Sequence, residues 1–206
     1  VTQSILNAYD ESGFMPEWAS PGHRECMIGN NSISLLTDAW MKGIRTICPE
    51  KALEAMIHQT EARHPGISSV GRDGFGYYDR LGYVPYPEVH EATAKTLEYA
   101  YADWCVARFA DSIGRKEIAD TYYRKALNYR NLYYPDYGFM WAKDANGKWR
   151  DAFDATEWGG PFTEGSSWHW TWSVLHDPEG LSRLMGGHTA MEARLDSMFT
   201  APNTYN

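Results

Sequence analysis

Apolar positions along this chain recur mainly at steps of three and four, the spacing of one face of an α-helix. Residues 1–11 read as the end of a helix that Gly13 stops and Pro16 follows. Residues 14–29, FMPEWASPGHRECMIG, carry no such period and read as a long loop. Asn30, Asn31 or Ser32 caps the next helix, whose stripe is Ile33, Leu36, Trp40 and Ile44. Pro49 suits a first helical position, and Leu53, Met56 and Ile57 follow on one face.

Residues 64–88 are rich in Gly and Pro, and the expectation is a connection with almost no helix. A connection of this length is usually functional or disordered. Tyr77, Tyr78, Tyr83 and Tyr86 argue for order, because the stretch has rings to bury. Residues 90–112 form the clearest helix, with Leu97, Tyr101, Cys105 and Phe109 at steps of four. Gly114 ends it, and residues 115–130 form its antiparallel neighbour, with Ile118, Tyr122, Ala126 and Tyr129 on one face. Asn146-Gly147 is a tight-turn signal, so residues 138–150 read as a small β-hairpin. Residues 151–165 are loop again, and helices resume at 166–175, 178–185 and 189–198.

The predicted fold is all-α: helix pairs joined by alternately short and long links, in a single segment over 1–206 with no internal boundary. Such pairs can curl into a toroid whose long loops share one face, which is where rigid elements hold variable loops for function. A helical solenoid is the alternative, but it wants a repeated signature and the chain shows no motif of fixed period.

Composition narrows the classes. The chain has 206 residues, 43% of them hydrophobic, enough for a core of ordinary domain size. Its net charge is −8, and no basic stripe interleaves with aromatics, which argues against nucleic acid. No run of eighteen apolar residues exists to span a membrane. The chain opens on Val1-Thr2-Gln3-Ser4-Ile5 without a charged-then-apolar leader. Nine Trp, fourteen Tyr and seven Phe suit either a helical core built of large side chains or a sugar site, where flat rings stack on pyranose faces. Cys26, Cys48 and Cys105 form no framework; each reads as a small buried hydrophobe, with a single pair left open.

No Walker loop, no dinucleotide fingerprint in its strand-turn-helix context, no H-E-x-x-H and no G-x-S-x-G elbow occurs. The chemistry therefore falls to carboxylates. Those in Gly-rich or aromatic loops are Glu17, Glu25, Asp73, Asp79, Glu88, Asp151, Asp154, Glu157 and Glu164; most read as solvated. Glu164 differs. It lies between the Gly159-Gly160 turn and a helix that Ser166 or Ser167 caps, with Phe162, Trp168 and Trp170 nearby. A carboxyl among rings tends to keep its proton, as a glycosidase acid needs. On residues alone, a plain role in closing the helix start fits Glu164 equally. Glu98 and Asp103, within a helix, read as salt-bridge or helix-end partners, or else as acids lining a toroid pocket. His169 and His176, seven apart on one predicted helix face, make a weak metal signal without a third ligand.

Several segments resemble glycoside hydrolase family 92. These are CMIGNNS at 26–32, TDAWMKGI at 37–44, LGYVPYP at 81–87, ATAKTLEYAYADWCVARFA at 92–110 and YRNLYYPDYGFMWAKDANGKW at 129–149. The strongest is GGPFTEGSSWHWTWSVLHDPEGLSRLMGG at 159–187. They keep family order over nearly the whole chain. The resemblance implies a calcium-dependent, inverting, exo-acting α-mannosidase acting on glycans, N-glycans included, with an N-terminal β-sandwich and an (α/α)6 barrel. This chain corresponds to about the first half of that barrel, and the missing half is expected to pack against it. A G-N-E-P-type motif and the paired aspartates that include the base and calcium-binding groups are expected further downstream. The family's general acid, the Glu of T-E-G, falls on Glu164. Where family members read T-E-G-N-A-W-x-Y, this chain reads TEGSSWHW, and of the two acids in Y-D-D-W it keeps only Asp103. By position in or near the long loops and in segments matching the family, Trp18, Cys26, Met27, Asp38, Tyr83 and Trp168 are expected in or just behind the sugar subsite, Asp38 touching sugar hydroxyls and Trp168 supplying a ring. A secreted, periplasmic or cell-surface location follows from the resemblance alone. The rival readings are a non-catalytic carbohydrate-binding helical module and an (α/α)6 glycosidase of other specificity.

Overall fold

The computed structural model describes all residues except Ala19, Glu25, Ser68, Ser69 and residues 202–206, so the loop carboxylate Glu25 lies outside the described residues. Helices α1 (Thr2–Ser12), α2 (Asn31–Met41), α3 (Pro49–Glu61), α4 (Phe75–Leu81), α5 (Ala92–Ser112) and α6 (Lys116–Lys125) come first. A 3-10 turn (Asn128–Leu132) leads into strands β1 (Tyr133–Tyr134) and β2 (Phe139–Met140). Helices α7 (Ser167–Trp170), α8 (Pro178–Leu184) and α9 (His188–Thr200) complete the order. The chain is thus predominantly α-helical with a small two-stranded hairpin among its described residues, an element order consistent with part of an (α/α)6 fold. No helix among them is long and apolar enough to cross a membrane. Two compact units result: Val1–Gly76 with Glu98–Leu127, and Tyr77–Leu97 with Asn128–Asn206.

In the first unit, α1 stops at Gly13, whose φ of 81° is left-handed and whose N–H donates to the Tyr9 carbonyl. α3 starts on Pro49, where a missing N–H costs nothing. Leu6, Met15, Ile33, Leu36, Met56 and Phe109 are buried together in one core. Gly71 must be glycine twice over: its φ is 80°, and a β-carbon there would run into the Ala62 carbonyl.

The second unit buries Val84, Leu97, Tyr129, Leu132, Trp141, Phe162 and Leu181. Its hairpin begins before the 138–150 stretch and reaches only its start, pairing Tyr133 with Met140 and Tyr134 with Phe139. Pro135, Asp136 and Tyr137 make that turn, and Gly138 closes it with a left-handed φ of 73° and an N–H bond to the Tyr134 carbonyl. Around Asn146-Gly147 a single bridge, Lys143 to Trp149, forms. There the Asp144 carboxylate accepts from the Asn146 and Lys148 amides at 2.9 Å and turns the chain locally.

Two further sequence expectations change. Residues 64–88 do contain a helix, α4, set between Gly74 and Gly82, both left-handed, and away from every proline of the stretch. Tyr78 within it is 2% exposed, so burial of a ring secures a helix that local composition disfavours. The helix expected over 166–175 ends at Trp170, so His169 and His176 share no helix face. His176 instead meets the Tyr129 ring edge-on at 5.6 Å.

Candidate active site

The loop that carries Glu164 is held by its backbone. Gly159 N–H donates to the Gly165 carbonyl at 2.9 Å, closing the loop, and Phe162 N–H donates to Gly159 at 3.0 Å. The Pro161 carbonyl accepts from the Thr93 and Ala94 amides at 3.0 and 3.2 Å, and Gly160 accepts from Glu91. The loop thereby satisfies first-turn donors of α5 that have no partner within the helix. On the other side Ser166 caps α7 in a capping box with His169, whose Nδ1 accepts from the Ser166 amide at 3.1 Å. That bond puts the imidazole proton on Nε2, and it assigns His169 to the cap rather than to a metal.

Glu164 itself takes a φ of 43°, a left-handed backbone that costs a non-glycine residue free energy. Its side chain is exposed and bonds no other described residue. The cap is made by Ser166 and His169, so Glu164 has no part in closing the helix start. The rings expected to surround it are committed beneath the loop. Phe162 is 1% exposed and packs on Trp141, Trp168 meets Phe139 edge-on at 4.7 Å, and Trp170 Nε1 donates to the Thr163 carbonyl at 2.8 Å. They fix the loop rather than bury the carboxyl.

The other loop carboxylates are spoken for. Asp73 pairs with Arg63 at 3.1 Å, Asp151 with Lys148 at 2.8 Å and Glu157 with Arg150 at 2.6 Å. Asp154 accepts from Thr156, and Glu88 from the Ala145 amide. Asp79 also has a partner. Glu17 accepts from Gln59 at 2.8 Å and lies 3.7 Å from His23 Nδ1. Burial pushes the Glu17 carboxyl up and the His23 imidazole down, in each case against the charged form.

The remaining sequence candidates divide between the two units. In the first, Trp18 is 51% exposed, Met27 is exposed and Cys26 partly so, with its thiol free. Asp38 points to solvent and pairs with Lys42 at 2.7 Å. In the second, Tyr83 is buried, and its hydroxyl donates to the Asp144 carbonyl at 2.8 Å, a structural tie to the 143–149 turn. Trp168 shares the Glu164 segment, half-buried against Phe139. Two surface cavities, of about 480 and 420 Å³, contain none of these residues.

One acid gains weight that the sequence withheld. Glu98 on α5 has neither a salt bridge nor a helix-end bond among the described residues, and burial pushes its carboxyl up to about 7. The available signal was its setting, a helix whose apolar residues are not confined to one stripe. Five residues further along α5, Asp103 is buried and pairs at 2.8 Å with Arg72, which is 1% exposed. Arg72 also donates to Asn30 Oδ1 at 2.9 Å and to the Tyr99 carbonyl at 3.1 Å. Asp103 is thus a structural anchor for the loops at 26–30 and 70–74.

Comparison with known proteins places this arrangement. An inverting mannosidase of family GH92 from Bacteroides thetaiotaomicron matches with a TM-score of 0.96 and 82% identity, over 100% of this chain and 28% of that one. A GH92 α-mannosidase of the same species matches at 31% identity and a TM-score of 0.87, over 97% of this chain and 26% of that one. The latter enzyme is also known in complex with mannoimidazole. A curated relative, an uncharacterized secreted glycosidase of Arthroderma benhamiae, is 26% identical over 93% of this chain and 29% of its own length. The chain spans less than a third of each of these relatives. Residues 1–206 match the glycosyl hydrolase family 92 catalytic domain from end to end, and the chain belongs to that family.

Proposed function

We propose that this chain is part of the catalytic domain of an inverting, exo-acting α-mannosidase, with Glu164 as its general acid. The observation that carries the assignment is Glu164 itself. Among the described loop carboxylates it is the one held in a strained, fully braced backbone with its side chain left over for a ligand. A proton donor must be placed within hydrogen-bond reach of the leaving oxygen, and such bracing provides that placement. In an inverting reaction a second carboxylate, about 6.5–9.5 Å from the acid, activates water on the opposite face of the sugar. We assign that base to sequence beyond these residues. The choice of mannose rests on the activities of the two Bacteroides relatives.

Calcium dependence and a secreted location belong to the same proposal, supported by the family and by the secreted glycosidase relative. Among the described residues no three His, Cys, Asp or Glu side chains gather into a metal-holding group, so no ligand is assigned here and no step is routed through the ion. A chelator should abolish activity and added calcium restore it. α9 buries none of its residues and leaves Phe199 77% exposed, which supports packing against further protein.

The decisive assay offers the whole protein an aryl α-mannoside and an aryl α-glucoside and follows the first-formed anomer by NMR. Mannoside turnover releasing β-mannose first is expected. Release of α-mannose first removes inversion, preference for glucoside removes the substrate class, and binding without turnover leaves a carbohydrate-binding module.

A further inference from the structure

At Gly29 the loop at 26–30 meets the carboxyl of Glu98. A β-carbon at Gly29 would lie 2.7 Å from Glu98 Oε2 and 3.4 Å from its Cδ. The φ of Gly29 is 93°, which already disfavours any side chain there. The Glu98 carboxyl thus fills the space that a side chain at this turn would take. The loop faces both ways at this point: Met27 is exposed and Cys26 partly so, whereas Ile28, Gly29 and Asn30 are buried. Its far end is anchored, because Asn30 donates to the Gly71 carbonyl at 3.1 Å and accepts from Arg72. Gly29 is the pivot between that anchored end and the exposed Cys26-Met27 step, and Glu98 stands behind the pivot on a rigid helix.

We propose that Glu98 is a positioning residue, whose carboxyl seats the Gly29 turn and so sets where Cys26 and Met27 stand against a bound sugar. The consequence for sugar binding rests on the mannosidase reading; the contact does not. The charge on the carboxyl then matters. Among the described residues, Glu98 acts on Tyr101 further along α5; Tyr101 in turn bonds Cys105, and the charge of Asp38 on α2 reaches both. Burial pushes the Tyr101 hydroxyl and the Cys105 thiol up to about 12, so both stay neutral, and Asp38 adds only negative charge. Burial likewise lifts Glu98 to about 7. Below neutral pH the carboxyl is an uncharged wedge behind glycine. As pH rises through that value it ionises against backbone, and it is driven outward, loosening the turn.

The test uses the whole protein with Cys48→Ser, which removes the exposed thiol of these residues, and reads Cys26 in its own peptide by mass spectrometry. Alkylation of Cys26 by iodoacetamide is timed at pH 6 and pH 8 in this background and in its Glu98→Gln derivative, a neutral isostere. Comparison at equal pH cancels the ionisation of the thiol. The ratio of the rate with Glu98 to the rate with Gln is expected to rise from pH 6 to pH 8, by up to roughly tenfold, the limit set by the change in ionised fraction across a pKa near 7. In parallel, kcat/KM with Glu98 should fall on a limb near pH 7 that Glu98→Gln lacks. A ratio that does not change with pH overturns the proposal. Alkylation needs no substrate, so the two readings fail separately. A pH-dependent ratio without mannoside turnover would sink the activity and leave the positioning role standing. Normal turnover with an invariant ratio does the reverse.

Discussion

Trp170 Nε1 donates to the carbonyl of Thr163 at 2.8 Å, tying the end of α7 back to the residue before Glu164. The indole also lies over Gly165, where a β-carbon would come within 3.1 Å of that same nitrogen. One ring therefore supports both neighbours of the proposed acid. Trp170→Phe keeps an apolar ring but leaves the Thr163 carbonyl without its donor. We expect a loss of about 1–3 kcal/mol in stability, read by urea denaturation. We also expect kcat to fall by roughly tenfold or more, with KM little changed, because a small misplacement of a catalytic group slows the chemical step more than it weakens binding. An unchanged kcat in a folded variant would show that the tie does not set the position of Glu164.

The Arg72–Asp103 pair predicts a different signature. Both side chains are almost fully buried, and Arg72 is shared among Asn30, Tyr99 and Asp103. Asp103→Asn leaves a buried guanidinium without its counter-charge, which costs about 3–5 kcal/mol. Replacing both members with apolar residues of similar volume should cost less than the sum of the two single changes. A double-mutant cycle measures this directly, and strict additivity would mean that the pair is not coupled.

Asp38 separates fold from function. Its ion pair with Lys42 joins side chains that are 60% and 70% exposed, one helical turn apart. Such a pair contributes about 0.3–0.5 kcal/mol, so Asp38→Asn should leave the melting temperature nearly unchanged. A charge-assisted bond to a sugar hydroxyl is worth about 1.5–3 kcal/mol. If Asp38 makes one, kcat/KM falls by roughly 10- to 100-fold with no loss of fold. An unchanged kcat/KM removes Asp38 from the subsite.

What could be read from the chain divides by the range of the interactions. Gly13 ending α1, Pro49 opening α3 and Ser166 capping α7 were all legible, because each is set by a residue's own backbone chemistry or a partner three positions away. α4 was not, because what secures it is burial of Tyr78, a tertiary effect that local composition cannot show. The hairpin moved for a related reason. Asn146-Gly147 does turn the chain, but the paired strands form instead on either side of Pro135–Gly138. At the candidate site, the position of Glu164 before a helix was legible. Its left-handed backbone was not, since a glutamate carries no local preference for that conformation. Its surroundings were misread for a physical reason: rings near an acid in sequence can point into the core and brace the loop, as Phe162 and Trp170 do, without covering the carboxyl. Glu98 was legible as a helix acid, but its contact with Gly29, 69 positions earlier, depends on how the loop folds over α5.

Two properties of Glu164, its chemistry and its strained backbone, should respond oppositely to substitution. As the proposed general acid it should matter most where the leaving group needs a proton. Glu164→Gln should cut turnover of a mannobiose linkage by roughly 100-fold or more, the usual scale for a positioned acid. An activated aryl mannoside, whose leaving group departs as a stable anion, should lose far less. Equal losses on both would indicate binding or structure, and full activity would reject the assignment. The fold predicts the opposite trend in stability. The Glu164 side chain bonds nothing among the described residues, so Gln should melt with the wild type. Glu164→Gly goes further, because glycine adopts a φ of 43° without the steric cost that glutamate bears. That relief is on the order of 1 kcal/mol, offset in part by the greater freedom of glycine in the unfolded chain. The glycine variant should therefore be at least as stable as the wild type while losing turnover as Gln does. A residue kept for packing would lose stability along with activity; one held in strain for its chemistry should lose activity alone.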